Sequence, residues 1–168
     1  MKKYLHLLFV ALFATMSFAL ISCGDDDDEP SAGGKYACNL TVGGTKFPSK
    51  TIAGEIWNHN GFDALTVWVN DATNEDWLIF ETTEIDGLAD GVNITTDCTI
   101  DLNIGDDIFV GGAEAKSGSV TVKKVDLNAK TISVQFSNVK FNSPMGGDVT
   151  VNGTFTSPLN GADNKVKL

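Results

Sequence analysis

Arginine is absent from this chain of 168 residues, and histidine and cysteine are scarce. All of the basic side chains are therefore lysines, so the planar, bidentate donor that grips phosphates and guanine edges is missing. Acidic residues outnumber basic ones by 22 to 12, and the formal net charge is −10 at pH 7. A negative surface loses rather than gains from counterion release on nucleic acid. We therefore expect no nucleic-acid partner.

The amino-terminal residues have the layout of a secretory signal. Lys2 and Lys3 precede an apolar run over residues 5–21, which ends in Leu20-Ile21-Ser22-Cys23. These last four residues resemble the lipobox of bacterial lipoproteins, which implies that residues 1–22 are removed and that Cys23 is acylated. The alternative is a transmembrane anchor with an incidental cysteine, although such a span needs about 20 apolar residues.

An acidic run at residues 25–29 follows Cys23 directly. It resembles the export signal of surface lipoproteins of the Bacteroidota, which implies the outer leaflet of the outer membrane, facing the cell exterior. Blocks of like charge are extended in any case, so a solvated spacer on a periplasm-facing lipoprotein is the alternative. The predicted organisation is a signal peptide at 1–22, a lipidated tether at 23–34 and a single β-domain at 35–168.

Two cysteines remain once Cys23 is assigned to the lipid. Cys38 and Cys98 would lie in a compartment where disulfides persist, and both fall on the apolar phase of predicted strands. We predict either a Cys38–Cys98 disulfide or two buried thiols that behave as small apolar residues.

Catalytic motifs are lacking. After processing, His59 is the only histidine left, so a metal cluster built on several histidines is excluded, and no Gly-x-Ser-x-Gly elbow is present. Gly111-Gly112 lacks the Gly-Lys-Ser/Thr ending of a phosphate loop. The acidic residues in 71–76 and at 106–107 offer oxygen ligands for calcium, but without the spaced pattern of a calcium loop. We expect no catalytic residue, no metal site and no cofactor.

Short alternations of apolar and polar residues fill the chain after the tether, and helical periodicity is almost absent. They predict an all-β domain, either a single antiparallel β-sandwich or a partly closed barrel of about 8–10 strands. Residues 92–104 exceed the usual strand length, so we expect two strands or a bend near residues 95–97. Residues 111–118 are rich in glycine and predict a loop, with one helical turn over 113–116 as an option. The phase of alternation shifts near Ser137-Asn138, which predicts a bulge.

Asn60-Gly61 is the strongest hairpin signal in the chain, because this pair favours a two-residue type I′ turn. The turn sets the register of the flanking strands and places His59 opposite Phe62 and Ala53 opposite Trp68. One face of the hairpin then carries a ligand-binding set: Trp57, His59, Phe62 and Trp68. A row of aromatic residues marks either an interface or a core. The alternative is that this face is the interior of the sandwich, or is covered by Trp77 and a long loop, since tryptophan is highly buried on average.

Taken together, these features resemble a family of small all-β surface lipoproteins of the Bacteroidota. The resemblance rests on the lipobox, the acidic run, Gly-Gly-Thr with Phe47 near the start of the domain, the hairpin over 118–141 and the final strand over 148–155. It implies a fold and a location, but it implies no activity and no site residue.

The predicted function is that of an outer-membrane lipoprotein, anchored to the membrane through Cys23, which acts as a non-catalytic binding module for a glycan or a peptide. The alternative is a structural or accessory, adhesin-like lipoprotein that binds a partner protein by adding an unpaired strand, from residues 36–42 or the carboxyl-terminal tail, to the partner's sheet. A hydrolase that uses two strand carboxylates is less favoured.

Overall fold

A computed structural model describes residues 36–59, 62–83, 85 and 87–161, and these residues form a β-sandwich of ten strands. The strands are β1 Ala37–Val42, β2 Thr45–Lys46, β3 Thr51–His59, β4 Phe62–Asn70, β5 Trp77–Thr82, β6 Cys98–Ile104, β7 Ile108–Glu114, β8 Ser117–Asp126, β9 Thr131–Asn142 and β10 Asp148–Pro158. The first sheet has the order β2-β1-β10-β9-β8 and the second has the order β3-β4-β5-β6-β7. All strand pairs within the sheets are antiparallel. The prediction of an antiparallel sandwich is confirmed, and the two sheets do not close into a barrel.

The core lies between the two sheets, because each strand turns its apolar phase inward. Three phenylalanines join the sheets at the centre: Phe80 comes from β5, while Phe136 and Phe155 come from β9 and β10. The centroid of the Phe80 ring lies 6.0 Å from that of Phe136 and 5.3 Å from that of Phe155. Edge-on packing of this kind is the favoured geometry of aromatic pairs, so this cluster fixes how the sheets face each other.

The β3–β4 hairpin has the register that Asn60-Gly61 predicts. His59 pairs with Phe62, Trp57 with Ala64 and Ala53 with Trp68. Residues 60 and 61 themselves lie outside the described part of the chain.

The hairpin of β8 and β9 also follows its pattern. Its inward residues are all buried: Val120, Val122, Ile132, Val134 and Phe136. The predicted bulge is present, because the pairing of β9 with β10 shifts between Val139 and Phe136, and Asn138 has a φ of 49°. The Asn138 N–H donates to Oδ1 of Asn152 at 2.6 Å, so a side chain of the neighbouring strand satisfies the displaced backbone.

The predicted bend in residues 92–104 is confirmed, since β6 begins only at Cys98 and a turn occupies residues 95–97. The segment before the turn is not part of the second sheet and lies along β8, the edge strand of the first sheet. The Ile94 N–H donates to the Val120 carbonyl, and the Val122 N–H donates to the Val92 carbonyl, both at 2.9 Å. This segment covers one edge of the first sheet, where unpaired backbone groups would otherwise face solvent.

The prediction for residues 111–118 is wrong. Strand β7 continues to Glu114, β8 begins at Ser117, and no helical turn occurs between them. The register of β6 with β7 shifts between Ile100 and Leu102, so the two glycines form a bulge rather than a loop. The Gly112 N–H donates to Oδ1 of Asp101 at 2.5 Å, which satisfies a backbone group that the bulge leaves out of the ladder.

Cys38 lies on the inner side of β1 in the first sheet, and Cys98 on the inner side of β6 in the second. Both are buried thiols, so the disulfide is not formed and the alternative of small apolar residues holds. The Cys98 thiol donates to the Thr95 carbonyl in the turn before β6, with Sγ 3.8 Å from that oxygen.

Several predictions concern residues 1–35, which lie outside the described part of the chain. The signal peptide, the acylated Cys23 and the acidic tether therefore stay predictions. Among the described residues, there is no helix with the length and apolarity needed to cross a membrane.

Candidate ligand-binding face

Trp57 and Trp68 of the β3–β4 hairpin lie on the outer side of the second sheet. Their strand neighbours of opposite phase, such as Ile56 and Val67, are the ones that fill the core. Trp57 and Trp68 are half-buried. The alternative, in which the tryptophan side is the sandwich interior, is thereby excluded for both residues.

The outer side carries more apolar residues than the hairpin alone. Trp68 pairs with Ile79 of β5, and Trp77 is the next outward residue along β5. Phe109 of β7 pairs with Asn103 of β6, which in turn pairs with Trp77. We call this set the aromatic face: Trp57, Trp68, Trp77, Ile79 and Phe109. All five side chains are half-buried.

The indole of Trp57 is held against the sheet. Its Nε1–H donates to Oγ1 of Thr66 at 2.7 Å, across the strand pair. Ala64 and Thr66 point outward, yet they are only 4% and 2% exposed. Neighbouring side chains must therefore lie over them, and the hydrogen bond identifies Trp57 as one of these. A ring fixed in this way loses little conformational entropy when a ligand stacks on it.

His59 and Phe62 share the outward phase of Trp57 and Trp68 through the hairpin register. Their side chains lie outside the description, so their contribution to the face stays a prediction. The residue patterns placed Trp77 on this face only as a cover over it, and they missed Ile79 and Phe109 as members of the site. A signal existed for β5, where large residues occupy both phases, but no turn motif in 71–76 fixed its register to β4.

A row of carboxylates crosses the same side of the sheet. Pairing across the strands aligns Glu55 with Thr66, Thr66 with Glu81, Glu81 with Thr99, and Thr99 with Glu114. We call these five residues the acidic row. A shallow depression of about 190 Å³ lies at its β5–β7 end, and its lining includes Glu81, Asp97, Thr99 and Glu114. None of the strands β3 to β7 contains a lysine.

The acidic residues of the β4–β5 loop brace the loop itself. Asp71 accepts hydrogen bonds from the Thr73 hydroxyl at 2.8 Å and from the Glu75 N–H at 3.1 Å. Slight burial raises the pKa of Asp71, but the hydrogen bonds, led by that of the Thr73 hydroxyl, outweigh it and lower this pKa overall. Asp76 accepts from the Gly105 N–H at 2.7 Å and so ties this loop to the β6–β7 turn. In the described ranges, no three His, Cys, Asp or Glu side chains are grouped so as to hold a metal ion.

Cys98 does not have the properties of a nucleophile. Desolvation by burial, together with the nearby negative charge of Asp97, raises the pKa of its thiol to about 12. The reactive form of cysteine is the thiolate, which is scarce at neutral pH under these conditions.

The edge of β1 does not present a bare row of backbone groups. The Phe47 N–H donates to the Leu40 carbonyl at 2.8 Å, and the Ser49 hydroxyl donates to the Cys38 carbonyl at 3.2 Å. The short strand β2 pairs with Thr41 and Val42. The chain's own residues therefore occupy much of the edge that strand addition would use.

Comparison of the chain with protein-family models, with curated proteins and with solved structures finds no match. The resemblance to the Bacteroidota lipoproteins therefore stays a prediction from residue patterns.

Proposed function

We propose that this protein is a lipoprotein, anchored through Cys23 in the outer membrane and facing the cell exterior, whose β-sandwich is a non-catalytic binding module. The ligand, a glycan or a peptide, lies on the aromatic face. Acylation of the cysteine at more than one position would make the membrane attachment stable, whereas a single chain gives only marginal binding.

One observation carries the proposal for binding: the second sheet holds five large apolar side chains on its solvent side although its other side already supplies the core. Large apolar side chains grouped on the solvent side of a sheet are uncommon on proteins that bind nothing. Tryptophan in particular combines a large stacking area with few rotatable bonds, which suits the face of a sugar ring or an apolar side chain.

Strand addition to a partner's sheet has less support. The β1 edge is occupied by Phe47, Ser49 and β2. The β8 edge is covered by residues 92–94. An edge that is already hydrogen-bonded offers few backbone groups to a partner.

Binding is tested by tryptophan fluorescence of the whole chain in mild detergent, with panels of oligosaccharides and peptides. We expect acrylamide to quench the emission and a ligand to protect against quenching. The double variant Trp57→Ala/Trp68→Ala should abolish ligand binding and leave the cooperative unfolding transition in place.

The matched control for this experiment is the double variant Gln135→Ala/Thr154→Ala, on the outer side of the first sheet. It should bind as the unmodified chain does. Emission that neither acrylamide nor any ligand alters would contradict a binding role of the aromatic face.

The anchor is tested separately with Cys23→Ser. This change should move the protein out of the detergent-extracted membrane fraction. Digestion of intact cells with an added protease should remove the unmodified protein if it faces the exterior. Protection from protease until the outer membrane is opened would place it on the periplasmic side instead.

A further inference from the structure

The acidic row narrows the class of ligand that the aromatic face can take, and this step rests on the proposed function. Glu55 and Glu81 are half-buried and Glu114 is exposed, and all three lie on the side that carries the tryptophans. Asp101, next to this row on β6, is half-buried as well. Strands β3 to β7 thus place carboxylates around the aromatic residues, and the sequences of these strands contain no lysine.

This charge distribution complements a cationic ligand. A negative surface attracts a basic partner and repels an acidic one, whereas an uncharged sugar gains nothing from it. Trp57 strengthens the preference, because its hydrogen bond to Thr66 places the indole in the row, next to Glu55 and Glu81. An ammonium or guanidinium group over an indole is attracted by the ring as well as by the carboxylates.

The spacing of the row indicates the conformation of the ligand. The glutamates lie on every second strand, β3, β5 and β7. Neighbouring strands are about 4.8 Å apart, so these positions recur about every 10 Å. A polyproline II helix has three residues per turn and advances about 9 Å per turn. An extended β-strand repeats its side chains about every 7 Å and does not match.

A depression lies between the last two glutamates of the row, because Glu81 and Glu114 both line it, together with Asp97. Basic side chains bound at Glu81 and at Glu114 would therefore flank it, and the next one along the ligand would lie at Glu55. Proline rings between the basic residues would pack on Trp57 and Trp68, since aromatic surfaces are the usual platform for polyproline II segments.

We infer that the aromatic face and the acidic row bind a segment of a partner protein in polyproline II conformation, with lysine or arginine at every third position.

The test measures binding of synthetic peptides to the whole chain in mild detergent, by tryptophan fluorescence and by calorimetry. The probe is four repeats of Pro-Pro-Arg, and its control is a peptide of the same composition with the arginines in one block. We expect the periodic peptide to bind several-fold more tightly than the block peptide. A Pro-Pro-Glu peptide should not bind, and high salt should weaken the binding.

Three charge-neutralising variants probe the row: Glu55→Gln, Glu81→Gln and Glu114→Gln. Each should weaken binding of the periodic peptide by roughly threefold to tenfold. The matched control is Asp107→Asn, in the exposed β6–β7 turn, which removes the same charge and should leave the affinity unchanged. Urea unfolding of each variant checks that the fold is unaltered.

The outcomes separate this inference from the proposed function. Equal affinity for the periodic and block peptides, or equal effects of Glu81→Gln and Asp107→Asn, would overturn the inference. Binding of cellohexaose, lost in Trp57→Ala/Trp68→Ala, with no binding of the arginine peptide, would overturn the inference and support the proposed function. Peptide binding that persists in the double tryptophan variant would overturn both.

Discussion

The outer sides of the two sheets differ in composition although the sheets have the same number of strands. The outer side of the first sheet is made of small polar residues and lysine, for example Asn39, Thr154, Gln135 and Lys140. The outer side of the second sheet carries the aromatic face and the acidic row. An antiparallel sheet with one solvated side normally alternates apolar and polar residues, as the first sheet does. The second sheet departs from this rule on its solvent side, and such departures are expected at functional sites.

The largest expected effect concerns the core that both sheets share. Phe136→Ala should lower the free energy of unfolding by about 3–5 kcal/mol, because it removes a fully buried ring that packs on Phe80 and Phe155. Trp68→Ala should lower it by only about 1–2 kcal/mol, since the side chain is half-buried. Urea unfolding measures both. Equal losses would mean that the aromatic face is a second core and would end the contrast between the two outer sides.

A second large effect is expected where β10 pairs with β1 in the first sheet. Gly153 has a φ of 107°, and a Cβ there would overlap the carbonyl oxygen of Asn39. Gly153→Ala should therefore lower the free energy of unfolding by at least about 2 kcal/mol. The matched control is Gly44→Ala, where φ is 88° but no atom lies within 4 Å of the added methyl. It should cost about 1 kcal/mol, and an equal cost for the two variants would contradict a steric role of Gly153.

A smaller effect is expected for the buried thiol of Cys98. Cys98 should react with Ellman's reagent only after unfolding, because burial holds its pKa at about 12. Since the folded pKa is raised, the protonated thiol stabilises the fold at neutral pH. That contribution begins to fall once the pH passes the pKa of the unfolded chain and is lost as it passes the folded value. Urea unfolding at rising alkaline pH should show that the free energy of unfolding declines more steeply for the unmodified chain than for Cys98→Ala. Parallel declines would contradict a raised pKa of Cys98 in the folded protein.

The smallest effect is expected at the Lys116–Asp148 ion pair, whose charged atoms lie 2.5 Å apart at the surface. The hydrogen bond from Lys116 lowers the pKa of Asp148. Lys116→Ala should raise this pKa toward its ordinary value in a carbon-13 NMR titration, and it should leave the urea midpoint almost unchanged because exposed pairs contribute little. Lys116 lies between β7 and β8, where the chain passes from the second sheet to the first. A large shift of the urea midpoint would show that this connection depends on charge.

Sequence patterns predicted the hairpins because a few adjacent residues at the turn determine how the two flanking strands pair. Asn60-Gly61 specifies a turn, and the turn specifies which residues of β3 and β4 pair. The phase shift at Ser137-Asn138 predicted the bulge for the same reason. The patterns failed at Gly111-Gly112, because the bulge there depends on a carboxylate of the neighbouring strand, Asp101, which no local signal connects to it.

The candidate site was predicted only in part. The hairpin register placed Trp57 and Trp68 together, but period-two alternation does not tell which side of a sheet will meet the other sheet. Trp77 and Phe109 join the face only through pairings along β5, β6 and β7. The alignment of the glutamates also depends on these pairings across five strands, so it was beyond the reach of local patterns.

The pairing of β1 with β10 sets the order in which the domain can be completed. Cys38 pairs with Phe155, and Val42 pairs with Val151, so the first strand to leave a ribosome or a translocation channel waits for the last. Closing so long a loop is entropically costly and slow compared with forming the hairpins. The β3–β4 and β8–β9 hairpins can form early, whereas β10 can take its place between β1 and β9 only after the whole domain has emerged. A chain that stalls before residue 148 would lack the strand that joins β1 to the rest of the first sheet.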